Sequence, residues 1–268
     1  MLDNLPLRRR SGDRRNRLRR GVFLVPSLFT VANLFCGYAC VVYSTRQDFD
    51  TAALLIGIAM ILDTLDGFFA RLTNSASAFG VELDSLADVV SFGLAPAILA
   101  FTWGLWPLER LGWATGFLFV AAAALRLARF NVQSATAIHT DKRYFVGMPS
   151  PAAAGMIAST VYYAPYGLQD RQSALPALAL VLVPAFMMVS TLRFRSVKAI
   201  DLGRRRSSFT LFLAAAALAL IASHPRLALV ILSYGYVVAA LGAWMFGRLR
   251  KRPPTEQPPV VIQPDLPS

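Results

Sequence analysis

The stretch Asp63-Thr64-Leu65-Asp66-Gly67-Phe68-Phe69-Ala70-Arg71, followed after eight residues by Gly80-Val81-Glu82-Leu83-Asp84-Ser85-Leu86-Ala87-Asp88, places acids at the ends of two apolar runs. The runs are Thr51–Arg71 and Phe79–Thr102. Each has the length of about 20 residues that a helix needs to cross a bilayer core. Ionisable groups inside such a run are costly and mark function by default. On a helix, Asp63 and Asp66 are i,i+3 neighbours, and Gly80, Asp84 and Asp88 follow i,i+4 spacing along one face. The short connection Leu72–Phe79 makes the two helices antiparallel neighbours, so the four aspartates are expected to converge. Glu82 falls on another face and reads as a solvated residue at the helix start.

Working outward, the same ruler finds further apolar runs at Val22–Ser44, Gly112–Arg129, Pro149–Tyr166, Ala174–Leu192, Phe209–Ser223 and Leu227–Phe246. The expected fold is all-α, a polytopic membrane bundle of about eight transmembrane helices. Composition agrees: 56% of the 268 residues are hydrophobic and only 16% charged, against about 25% charged in soluble domains. A disordered, collagen-like or disulfide-built chain is excluded. Cys36 and Cys40 share one apolar run and read as small buried side chains. The polar residues before Val22, and the length of the run that follows, argue against a cleavable signal peptide.

A net charge of +12 would suggest nucleic acid in a soluble domain. Here the basic residues follow the membrane instead. With the N-terminus inside, only Arg46, Arg110, Arg171 and Arg226 fall on the outer side, and every other Lys and Arg falls on the cytoplasmic side. That asymmetry predicts both termini and the aspartates at the cytoplasmic face of the cell (inner) membrane, with no nucleic-acid partner. The chain divides into a basic segment (1–21), a membrane domain (22–200), a two-helix hairpin (201–248) and a Pro-rich tail (249–268) expected to be disordered.

Four carboxylates in a low-dielectric site cannot all stay ionised without neutralisation. Oxygen-only ligands favour a hard cation, Mg²⁺ or Mn²⁺, and four suffice for two such ions, a recurring arrangement in displacement at phosphorus. Gly67, Ala70 and Gly80 remove bulk beside the acids, and Arg71 offers a fork suited to phosphate. A proton or ion relay would use the acids alone, and helix packing would use the small residues alone.

The stretch matches D-x2-D-G-x2-A-R-x8-G-x3-D-x3-D at every specified position, and so resembles the CDP-alcohol phosphotransferase family. The resemblance implies a membrane-embedded core of about six helices, a homodimer, a CDP-linked lipid substrate and two divalent cations, Mg²⁺ or Mn²⁺. It implies metal ligation by Asp63, Asp66, Asp84 and Asp88, and CDP binding by Asp66, Gly67, Ala70, Arg71 and Gly80. Asp88, with Asp84 beside it, would be catalytic, Asp88 as general base toward the acceptor hydroxyl.

Three further stretches resemble the integral-membrane phosphatidylserine synthase branch: Pro26 to Gly37, Arg126 to Val132 with Phe145 to Gly155, and Met188 to Lys198. That branch implies transfer of a phosphatidyl group from CDP-diacylglycerol to L-serine. A serine carboxylate needs a cation, and Arg129 with Asn131 is the preferred pair, Arg126 standing nearby. Asn33, polar in mid-run, is expected to face the site as part of the CDP-lipid pocket. His139 reads as a solvated loop residue and His224 as remote. Glycerol 3-phosphate or inositol phosphate as acceptor is the rival within the chemistry, and a cation transporter is the rival outside it.

Overall fold

The computed structural model describes residues 12–72, 77–135, 144–190, 193–195 and 223–249, with side chains in the interior of those ranges. Seven helices dominate it. They are α1 (Gly12–Thr45), α2 (Phe49–Leu72), α3 (Ala78–Leu108), α4 (Arg110–Ala135), α5 (Ser150–Tyr163), α6 (Arg171–Val189) and α7 (Pro225–Leu249). Five stretches among the described residues, in α1, α2, α3, α4 and α6, are long and apolar enough to cross a membrane. The chain is therefore a multi-pass helical membrane protein.

The interior is built from small residues. Ala52, Ala53, Ala59, Ala95, Ala97, Ala123, Ala153, Ala154 and Ala177 are buried where helices meet, while Leu28, Phe35, Ile61, Phe117, Leu125 and Phe186 point outward. In water such an exterior would be one large sticky surface. In lipid it is the expected distribution, because close backbone approach replaces hydrophobic burial as the force between helices.

Helix α3 is the hub. It packs against α1, α2, α4, α5 and α6, and it is the most enclosed of the five spans. It is not uniform: α-helical Ala78–Asp88 gives way to a π-helical turn at Val89–Leu94, returns to α at Ala95–Ala100, then passes through a second π turn at Phe101–Leu105. A 3-10 turn, Trp106–Leu108, ends it. Its start is fixed by Ser77, whose side chain accepts a hydrogen bond from the Gly80 N–H at 3.0 Å.

Two features depart from the sequence reading. The run Pro149–Tyr166 yields a helix of only 14 residues, about 21 Å long, because Pro165 disfavours helical geometry at Ala164 before it. Three-residue strands, β1 (Tyr144–Val146) and β2 (Arg193–Arg195), also pair antiparallel. They join the segment before α5 to the segment after α6. The seventh expected run, Phe209–Ser223, lies outside the described residues apart from Ser223, as do the first 11 residues, His139 and the tail from 250. The helix α1 begins inside the basic segment, at Gly12. Helix α7 covers the eighth run and is held to α5 by Ser159–Ser233 and Thr160–Tyr234 hydrogen bonds of 2.7 and 2.8 Å. Its Arg226 pairs with Asp50 of α2 at 2.9 Å and lies over the Tyr162 ring.

Candidate active site

The last turns of α2 and the first turns of α3 bring the motif acids together. Asp63, Asp84 and Asp88 each present a carboxylate oxygen within 4.8 Å of the others. This donor set, all oxygen and all anionic, fits a hard divalent cation. Buried oxygens without a hydrogen-bond partner, Oδ1 of Asp66 and Oδ1 of Asp88, support that fit, because an isolated buried carboxylate oxygen is costly unless something pairs with it.

Asp66 is placed differently from its three companions. It is 6% exposed and accepts a hydrogen bond on Oδ2 from the Thr30 hydroxyl of α1. It stands within electrostatic reach of Asp63 and Asp84, but the three-acid group does not include it. Glu82 is exposed, as expected.

Helix α1 supplies a second polar element. Asn33 is fully buried, and neither of its side-chain polar atoms has a hydrogen-bond partner of ordinary geometry. Its amide lies beside Asp88. The Asn33 carbonyl accepts from Ser91 Oγ at 2.9 Å. Gly37, one turn on, touches the Ser91 backbone so closely that an added Cβ would stand 2.8 Å from its Cα. The approach of α1 to α3 that aims Asn33 at the acids therefore depends on Gly37.

The small residues of the motif have specific neighbours. A Cβ on Gly67 would meet the Arg71 guanidinium at 3.5 Å, so Gly67 leaves room for Arg71 to fold back along α2. A Cβ on Gly80 would stand 3.2 Å from the Ser77 hydroxyl, so Gly80 leaves room for that cap. Ala70 is half-buried and Arg71 exposed. Phe69 stacks on Phe29 at 5.3 Å between ring centres, a second brace between α1 and α2.

The three candidates for acceptor binding separate. Arg129 donates to the Met188 and Val189 carbonyls at 3.3 Å and so closes the C-terminal end of α6. Asn131 donates to Ser85 Oγ at 2.8 Å. Arg126 lies within electrostatic reach of Asp88 and donates from Nη1 to Ser150 Oγ at 3.0 Å. Its Nε is buried without a partner. Ser150, fully buried, is the first residue of α5. Sequence reasoning did not single out Thr30 or Ser150 for any task; their polar side chains inside apolar runs were the available signal.

A helical membrane body with a carboxylate cluster at one end of two antiparallel helices, flanked by a buried amide and a half-buried guanidinium, defines a class of intramembrane site suited to phosphate chemistry. The chain belongs to the CDP-alcohol phosphatidyltransferase family, whose model matches residues 23–189. Its relatives include the CDP-diacylglycerol--serine O-phosphatidyltransferase of Helicobacter pylori, 34% identical over 226 residues, which are 84% of this chain and 92% of that protein. The Mycobacterium tuberculosis protein of the same name is 39% identical over 142 residues, covering 51% of this chain and 49% of the relative. The archaetidylserine synthase of Methanothermobacter thermautotrophicus is 32% identical over 175 residues, 65% and 70% of the two chains.

Proposed function

We propose that this chain transfers the phosphatidyl group of CDP-diacylglycerol to the hydroxyl of L-serine, giving phosphatidylserine and CMP. The observation that carries this reading is the convergence of Asp63, Asp84 and Asp88 beside Arg126, in a chain whose long-range relatives are named for serine transfer.

In the proposed reaction the serine hydroxyl oxygen attacks the phosphorus nearer the diacylglycerol. Its proton passes to Asp88, whose Oδ1 is buried without a hydrogen-bond partner. The bond from that phosphorus to the CMP oxygen breaks, and CMP leaves with the electron pair. Asp63, Asp66, Asp84 and Asp88 would hold the divalent cations, Mg²⁺ or Mn²⁺, which when bound would neutralise charge on the phosphates. Asp66, Gly67, Ala70, Arg71, Gly80 and Asn33 form the CDP-lipid side of the site, with Arg71 toward the nucleotide phosphates. The serine carboxylate is assigned to Arg126, where the N-terminal end of α5 adds its positive dipole. Arg129 and Asn131 act behind it, bracing α6 and α3. Most of the acceleration then comes from positioning and fixed charge, with no covalent enzyme intermediate.

The same reading places the catalytic core in residues 22–200 and an additional hairpin in 201–248, with eight spans in all. The site faces the cytoplasm at the inner membrane, in a homodimer. The basic asymmetry supports that orientation and would draw anionic lipid to the catalytic side.

The test is one assay: purified protein, CDP-diacylglycerol, Mn²⁺ or Mg²⁺, and a panel of alcohols, with CMP release as readout. Serine-dependent release is expected. Release driven by glycerol 3-phosphate or inositol phosphate alone would reassign the acceptor, and cation flux in proteoliposomes without CMP release would favour a transporter.

A further inference from the structure

Hydroxyl side chains on these helices mostly bond back to their own backbone. Thr64 donates to the Met60 carbonyl, Thr115 to Leu111, Thr160 to Met156 and Ser85 to Val81. That local bond is the default for a hydroxyl on a helix. Thr30 reaches across to another helix. Its hydroxyl donates to Oδ2 of Asp66, 36 residues away in sequence, and both side chains are almost fully buried, at 3% and 6% exposure. A charged acceptor makes this the stronger kind of hydrogen bond.

The consequence lies in what is left of Asp66. One oxygen is engaged by Thr30, and the other, Oδ1, is buried without a partner. A carboxylate free to rotate could offer either oxygen or both. Here the bond holds Oδ2 toward Thr30 and leaves Oδ1 as the oxygen without a hydrogen-bond partner, within electrostatic reach of Asp63 and Asp84. The β-branched side chain of Thr30 has few rotamers on a helix, and the Phe29–Phe69 stack beside it fixes the spacing of α1 and α2. Thr30 is therefore held as firmly as the acid that it holds.

We propose that Thr30 is a positioning residue for Asp66, presenting that carboxylate to a divalent cation through Oδ1 alone. The proposal rests on the cation-binding reading of the motif acids. It assigns Thr30 no contact with substrate. Orienting partners of this kind are worth about 10- to 100-fold in metal affinity.

The test measures Mn²⁺ binding by the full-length protein in detergent, without substrate, from the loss of the free-ion paramagnetic resonance signal. Thr30→Val keeps the shape and removes the donor; Thr30→Ser keeps the donor and removes the methyl. Thr30→Val is expected to weaken Mn²⁺ binding about tenfold and Thr30→Ser to stay within about twofold of wild type. Should Thr30→Val fail to fold, Thr30→Ala removes the same hydroxyl and is compared in its place. Wild-type affinity in Thr30→Val, or an equal loss in Thr30→Ser, overturns the proposal while leaving the metal site intact. Absence of saturable Mn²⁺ binding by the wild type overturns the cation reading itself, and this inference with it.

Discussion

Arg126 and Ser150 form a 3.0 Å hydrogen bond that fastens the guanidinium of α4 to the first residue of α5. The bond anchors an otherwise flexible cation within electrostatic reach of Asp88. Ser150→Ala removes the anchor and leaves the charge. With Arg126 on the serine carboxylate, the expected result is a serine KM raised roughly tenfold, the equivalent of one lost hydrogen bond to a charged group, with little change in kcat or in the KM for CDP-diacylglycerol. Initial rates of CMP release with each substrate varied in turn check this.

Asp88→Asn keeps the size of the side chain and removes the base. CMP release should fall by at least about 100-fold, the lower end of what a positioned base contributes, while the protein still inserts and purifies. Asp84→Asn should do the same by weakening the three-acid group. Full activity in either purified variant would refute the roles given to them.

Gly147 adopts φ +83, and a Cβ there would stand 2.4 Å from the Met188 carbonyl oxygen and 2.8 Å from the Arg129 guanidinium. Gly147→Ala thus combines left-handed strain with a backbone clash. We expect destabilisation of at least about 2 kcal/mol, read as a lower thermal midpoint in detergent.

Two glycines of the transmembrane helices make a paired control. Gly37→Ala would push α1 off Ser91, with contacts at 2.6 and 2.8 Å, and carry Asn33 and Thr30 away from the acids. Activity should drop sharply. At Gly57 nothing lies within 4 Å of an added Cβ, in the 450 Å³ apolar cavity between α2, α5 and α7. Gly57→Ala should change stability by less than about 1 kcal/mol. Thermal unfolding and CMP release of the two variants side by side test the contrast.

The apolar runs and the motif spacing were legible in the chain because each is a local pattern: a run of about 20 residues must be helical in lipid, and i,i+4 spacing puts Asp84 and Asp88 on one face. What escaped was settled between helices. Nothing local to Thr30 says that its hydroxyl meets a carboxylate 36 residues on. Arg129 and Arg126 differ by one turn's position, yet one closes α6 and the other bonds Ser150 of α5 within electrostatic reach of Asp88; only the packing of α4 against α6 and that bond separate them. The shortened α5 was available from Pro165, but its hydrophobic flanks outweighed it. The two small strands pair segments with no alternating pattern of their own.

The π turn at Val89–Leu94 begins one residue after Asp88. Such a turn accommodates an extra residue, and one residue of α-helix is a rotation of about 100°. Ahead of it α3 lies chiefly along α1; beyond it α1 continues alongside while α4, α5 and α6 also close around the helix. The turn works as a phase coupling between these two halves, letting the acids take the angle their chemistry needs while the remainder keeps the angle its neighbours impose. A one-residue deletion between Val89 and Leu94 would restore a regular helix and force the halves to share one angle. The loss would then fall on the acids, although every one of them would still be present in the chain.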